Sequence, residues 1–145
     1  MKSLLLTIIL SSAFFPLAAQ TDKSEIEQAC MNYIEGFYEG DASKLEACLQ
    51  PSLNKFGFRK NSDTGKFGDP IPLTYENALK LARDIKAKGN FASKSDPKKV
   101  ELLDMMEHIA AVKVTARWGV DYLLLSKRSG KWMIEQVIWE GPLKQ

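Results

Sequence analysis

Histidine is nearly missing from this chain: His108 is the only one in 145 residues. One imidazole excludes a histidine-rich metal site, and neither H-x-x-x-H nor C-x-x-C spacing occurs, so no metal is expected. The G-x-S-x-G and P-loop patterns are absent too. Gly65-Lys66-Phe67-Gly68 is a turn with no helix start behind it to cradle a phosphate. No cofactor motif is found, and none is expected. An excess of one charge sign is also lacking. Lys and Arg number 20 against 18 acids, a net charge of +2, of which Lys2 supplies one. Near-neutral and interspersed, these charges leave no footprint for nucleic acid. The densest basic run, Ser93 to Lys99, contains Asp96-Pro97 and reads as a solvated loop.

Long apolar runs are confined to the start, MKSLLLTIILSSAFFPLAAQ. Lys2, an apolar stretch from Leu4 to Phe15, and the small residues of Leu17-Ala18-Ala19 have the shape of a secretory signal peptide. The run falls short of the roughly 20 apolar residues that span a membrane. Residues 1–19 are therefore expected to be removed after Ala19. That leaves a single domain, 20–145, with no stable membrane anchor, in the periplasm or secreted. In such an oxidising compartment the only two cysteines, Cys30 and Cys48, are a disulfide candidate. The alternative is two buried thiols acting as small apolar groups.

Asp22-Lys23-Ser24-Glu25 looks like a capped helix start, followed by Ile26, Ala29, Cys30, Tyr33 and Phe37 at helical spacing. Gly40 stops that helix and Asp41 caps a shorter one carrying Leu45, Cys48 and Leu49. In this helical hairpin Cys30 and Cys48 lie at similar distances from the corner. Asn54 to Lys60 reads as a short strand, and Asn61 to Pro70 as a turn-rich loop. Thr74 caps a third helix with an apolar stripe of Ala78, Leu79, Ala82 and Ile85, ended by Gly89. From Lys99 onward four strand-like segments follow with short separators, the pattern of an antiparallel meander.

The last of these segments is apolar on both parities: Trp132, Ile134 and Ile138 on one, Met133, Val137 and Trp139 on the other. The segment before it likewise has Tyr122 and Leu124 opposite Leu123 and Leu125. Three helices cover only one face of a sheet. The other face is expected to display Met133, Val137 and Trp139, or the alternate set. A contiguous apolar patch of that kind calls for a cover. The expected one is a second copy, giving a homodimer through the sheet face. The C-terminal GPLKQ or the loop around Phe67 is the alternative.

The order of elements, with YIEGFYEGD (Tyr33 to Asp41), KFGFRKNSDTGKF (Lys55 to Phe67) and VTARWGVDYLLLSKRSGKWMIEQVIW (Val114 to Trp139), resembles the secreted "putative lumazine-binding" family of the nuclear transport factor 2-like superfamily. The resemblance spans roughly Ser24 to Pro142. It implies an α+β fold in which three N-terminal helices pack on a curved antiparallel sheet, a cone-shaped, cystatin-like α+β barrel. It also implies a pocket between helices and sheet, and frequent dimerisation through the sheet. In that family the residue before the Pro that follows the second helix is often His. Here it is Gln50, so a pocket role for that imidazole does not carry over.

The candidates for acid–base chemistry are Glu135, Asp121 and His108, with Tyr33 and Tyr122 as hydrogen-bond donors. Each has a plainer reading. Asp121 follows Gly119-Val120 and would start a strand in water. Glu135 would pair across the sheet with Arg117 or Lys127. His108 sits at a strand joint. The aromatic residues Tyr33, Phe37, Phe56, Trp118, Tyr122 and Trp132 are expected to line a pocket for a flat hydrophobic or aromatic ligand, or to pack as core. The expected function is thus small-molecule binding without catalysis. An isomerase- or lyase-like enzyme with a pocket carboxylate as base, and an envelope assembly domain, are the alternatives.

Overall fold

A computed structural model describes residues 17–143 of the chain. The expected leader lies outside the described residues except for its last three, which open the first helix. Helix α1 runs Leu17–Tyr38, α2 Ala42–Cys48 and α3 Tyr75–Lys88. The strands are β1 Leu49–Arg59, β2 Ile71–Pro72, β3 Lys99–Met105, β4 Ile109–Ala116, β5 Gly119–Arg128 and β6 Lys131–Gly141. They form one six-stranded sheet in the order β2-β1-β6-β5-β4-β3.

The meander from β3 to β6 is antiparallel, as expected, but β1 pairs parallel with β6. The sheet is therefore mixed, and it is not closed into a barrel. A parallel neighbour requires a long crossover. Helix α3 and the meander supply it, and β1 thereby reaches the strand made last.

Local chemistry sets the helix ends. Asp41 accepts from the Ser43 amide at 2.9 Å, and Thr74 accepts from the Asn77 amide at 3.2 Å. Gly89 closes α3 in the left-handed conformation at φ 64°. Asp22 is not a cap: α1 begins five residues earlier. The residue falls within the helix, and its carboxylate projects to the sheet, accepting from Lys127 Nζ at 2.5 Å and Trp132 Nε1 at 3.0 Å. That contact ties α1 to the far ends of β5 and β6. At the other end of α1, the Tyr38 hydroxyl accepts from the Arg117 amide at 2.7 Å and donates to the Pro97 carbonyl at 2.6 Å. The helix is thus fixed to the sheet at both ends.

The two-faced pattern of β6 has a structural cause. The β5–β6 register runs Leu124↔Gln136 and then Leu125↔Ile134, which leaves Glu135 as an extra residue. This β-bulge reverses the parity of everything after it. Trp132 and Ile134 point to the helices before the bulge, and Val137 and Trp139 do so after it; all four are buried. The expectation that Val137 and Trp139 lie on the back of the sheet is corrected accordingly, and of that set only Met133 has the outer parity. The outer face is nevertheless apolar: Tyr122 and Leu124 are 56% and 51% exposed, and Ile138 is exposed beside Tyr122.

Candidate functional site

The helices and the inner face of the sheet enclose a cavity of about 580 Å³. Its walls come from α1 (Tyr33, Phe37), β1 (Lys55, Arg59), β2 and the residue after it (Ile71, Pro72, Leu73), α3 (Leu81, Ile85), the β4–β5 turn (Arg117, Trp118) and β6 (Trp139), with Asn90 beyond α3. Tyr33 and Phe37 are one helical turn apart, so both face the sheet. Their rings meet Trp118 edge-to-face, with centroids 6.0 Å and 5.7 Å away and 5.4 Å from one another. Such T-shaped contacts add to the energy of burial and hold the aromatic wall in one shape.

On β1 the inward positions are Lys55, Gly57 and Arg59. Gly57 lies opposite Trp139, and a Cβ there would stand 2.2 Å from the indole ring. The glycine therefore lets the Trp139 ring lie flat across β1 and form a wall. Lys55 and Arg59 flank it, each with its cationic group within 6 Å of the Trp139 ring centre.

The floor is polar and tightly satisfied. Asp121 is 0% exposed and Lys55 only 7%. The Tyr33 hydroxyl donates a short hydrogen bond to Asp121 Oδ2 and accepts from Lys55 Nζ at 2.6 Å. Lys55 Nζ also reaches Asp121 Oδ2 at 3.4 Å, and Trp118 Nε1 donates to Asp121 Oδ1 at 2.7 Å. Both carboxylate oxygens are thus engaged, by groups from α1, β1 and the β4–β5 turn. Burial pushes the Lys55 ammonium below its ordinary range, against the pull of Asp121 toward the charged form. Burial, reinforced by the charge on Asp121, raises the Tyr33 phenol well above its usual value. At neutral pH Tyr33 is a donor.

The structure distributes the residues expected from sequence in three ways. Tyr33, Phe37 and Trp118 line the cavity, and Asp121 lies behind its floor, not in water. Asp121 has the inward parity of Leu123 and Leu125, so the start of β5 is buried. Phe56 and Tyr122 are on the opposite face, each in register with Ile138, because their parity opposes that of Lys55 and Asp121. Trp132 is core, with its indole N–H given to Asp22. Neither of the other two acid–base candidates lines the cavity. Glu135 sits at the bulge, accepting from Ser126 Oγ and pairing with Arg128 Nε at 2.7 Å. His108 is exposed in the β3–β4 turn beside Glu107. Cys30 and Cys48 are both buried and both free thiols, the apolar alternative to a disulfide. Lys55 and Arg59 are cavity residues that the sequence did not single out, and Arg117 and Trp139 are two that it placed elsewhere, as a cross-strand partner for Glu135 and on the outer face. The alternation Lys55-x-Gly57-x-Arg59, with a glycine at its centre, was the available signal.

No curated protein matches the chain in sequence. Solved structures match it in fold. An NTF-2 like protein of unknown function from Silicibacter pomeroyi is 14% identical, with a TM-score of 0.62 over 83% of this chain and 96% of that one. A domain of unknown function with a cystatin-like fold from Nostoc punctiforme is 13% identical, with a TM-score of 0.56 over 86% and 79% of the two chains. The association domain of C. elegans CaMKII is 12% identical, with a TM-score of 0.55 over 83% and 96%. At such identities the likeness is one of fold alone. The model of the family described as "Putative lumazine-binding" matches residues 21–140. That match takes in all three helices but the first turn of α1, the whole sheet but the last residue of β6, and every residue of the cavity. The chain therefore belongs to the "Putative lumazine-binding" family, built on a nuclear transport factor 2-like, cystatin-like fold.

Proposed function

We propose that this domain is a secreted or periplasmic small-molecule-binding module, a homodimer that holds a flat aromatic or hydrophobic ligand without transforming it. One observation carries the reading: a cavity of about 580 Å³ walled by Tyr33, Phe37, Trp118 and Trp139, with a few fixed polar groups at its floor. Mostly apolar walls with a small number of placed donors suit recognition of ring systems. The family description, lumazine-binding, is of that chemical kind.

The enzyme alternative has less support. A general base needs a free lone pair within reach of the ligand. Asp121 is fully buried and accepts from Tyr33, Trp118 and Lys55. Glu135 and His108 do not line the cavity.

Support for the dimer comes from the outer face, where Tyr122, Leu124, Ile138 and Phe56 are neighbours in the strand register. A second copy of the same patch, related by a two-fold axis, is the simplest cover, and one fold relative is itself an association domain. Secretion rests on the N-terminal pattern of residues 1–19. The test is native mass spectrometry of protein purified from its own host. A dimer starting at Gln20 and carrying one small-molecule mass per subunit is the expected result. A bare monomer retaining Met1 would contradict all three parts.

A further inference from the structure

Deepening that reading, we infer that the ligand is an anion: a ring compound with a carboxylate or phosphate group held at the cavity mouth by Arg59 and Arg117. The inference rests on the cavity being the binding site.

The chain has four arginines. Arg83 pairs with Glu46 at 3.6 Å and Arg128 with Glu135 at 2.7 Å. Among the described residues the other two, Arg59 and Arg117, pair with no carboxylate, and both line the cavity. What they do touch leaves their charge uncompensated. Arg59 lies over the Trp139 ring at 5.5 Å; Arg117 lies over the Tyr38 ring at 5.5 Å and donates to the Asn90 carbonyl at 3.4 Å. No Asp or Glu is among the residues lining the cavity.

Charge is partitioned along the depth of the site. At the floor Lys55 is matched by Asp121, so the pair has no net charge with which to attract an ion. The mouth keeps two positive charges. Arg59 is exposed and Arg117 half-buried, so both guanidinium groups remain hydrated enough to stay there without a partner. A guanidinium fork presents parallel N–H donors that match a carboxylate or phosphate edge, which a lysine cannot do. The floor offers the complementary feature. An ammonium has three donors, and Lys55 spends two of them on Tyr33 and Asp121. The third suits a neutral acceptor such as a ring carbonyl. Lys55 and Arg59 are four residues apart on one strand face, roughly 13 Å along β1. A bicyclic ring with a short acidic arm covers that span.

The experiment compares 2-naphthoate, 2-naphthyl phosphate and neutral 2-naphthamide by isothermal titration calorimetry on the mature chain. At low salt at least one acid should bind about tenfold more tightly than the amide, the usual scale of a charge-assisted contact. Whichever acid binds more tightly identifies the preferred group. Added salt should shrink the ratio. In the double variant Arg59→Gln/Arg117→Gln the acids should fall to the level of the amide, while amide binding persists and shows the variant folded. A matched loss of two charges elsewhere, Lys88→Gln/Lys131→Gln, should leave the ratio intact. Equal binding of acids and amide, or a preference that survives in the arginine variant, would overturn the inference while leaving the cavity reading in place. Binding of none of the three would count against both.

Discussion

At the scale of single residues, the buried trio Lys55, Tyr33 and Asp121 is the feature on which most depends. A buried ion pair contributes little over an apolar replacement, but removal of one partner strands the other's charge. Lys55→Met should therefore cost about 3–5 kcal/mol in urea unfolding, by leaving Asp121 in an apolar site with only the Tyr33 and Trp118 donors. Lys55→Met/Asp121→Asn should recover most of that loss. A single variant as stable as the parent would mean that the pair is solvated and the floor open. The sequence showed only part of this trio. Tyr33 stands out because it shares a helix face with Phe37. Asp121 looks like an exposed strand start because a Gly-Val pair precedes it. Lys55 goes unmarked because the short strand read over Asn54 to Lys60 gives no sign of which parity is inward. The partners lie 22, 66 and 88 positions apart, and no local pattern encodes such pairing.

At the scale of elements, the helical hairpin and the β6 bulge carry the lesson. The hairpin was legible, since caps and stops are local chemistry: Asp41, Gly40, Thr74 and Gly89 all mark real boundaries. The start of α1 was misplaced because Asp22 satisfies a cap pattern while serving a tertiary contact to Lys127 and Trp132. The bulge was not legible, because one extra residue changes no composition. It shows only as an apolar strand with two faces, which reads equally well as a strand buried on both sides. The hairpin also yields a prediction about its cysteines. Burial raises the Cys30 thiol from 9.0 to about 12 and pushes Cys48 up as well. The folded state therefore holds these protons more tightly than the unfolded chain does. The associated stability is intact below pH 9 and is lost as pH climbs toward 12. Ellman's reagent at pH 8 should find neither thiol in native protein and both after unfolding in guanidinium without reductant. Reaction in the native state would contradict the burial. Silence in the unfolded state would show a disulfide instead.

For the whole molecule, a sheet with helices on one face poses two separate questions, what fills the inside and what covers the outside. The inside is a cavity, and the outside is an apolar strip bearing Tyr122, Leu124 and Ile138. The dimer reading predicts that Leu124→Glu, a change on exposed side chains only, yields a folded monomer in analytical ultracentrifugation with cavity binding retained. A monomeric parent, or a variant that remains dimeric, would assign the interface elsewhere or remove it. The fold class could be read from element order. The parallel β1–β6 pairing could not, since it joins segments far apart in the chain.

The central claim, that the hollow between helices and sheet is the binding site, can be tested at three tryptophans. Trp118 and Trp139 line the cavity, whereas Trp132 is core with its indole bound to Asp22. In a ¹⁵N-resolved NMR titration with an aromatic ligand such as 2-naphthoate, the indole N–H signals of Trp118 and Trp139 should move together and saturate at one ligand per subunit, while that of Trp132 stays in place. Saturable binding that leaves Trp118 and Trp139 unmoved would place the ligand outside the cavity and contradict the account.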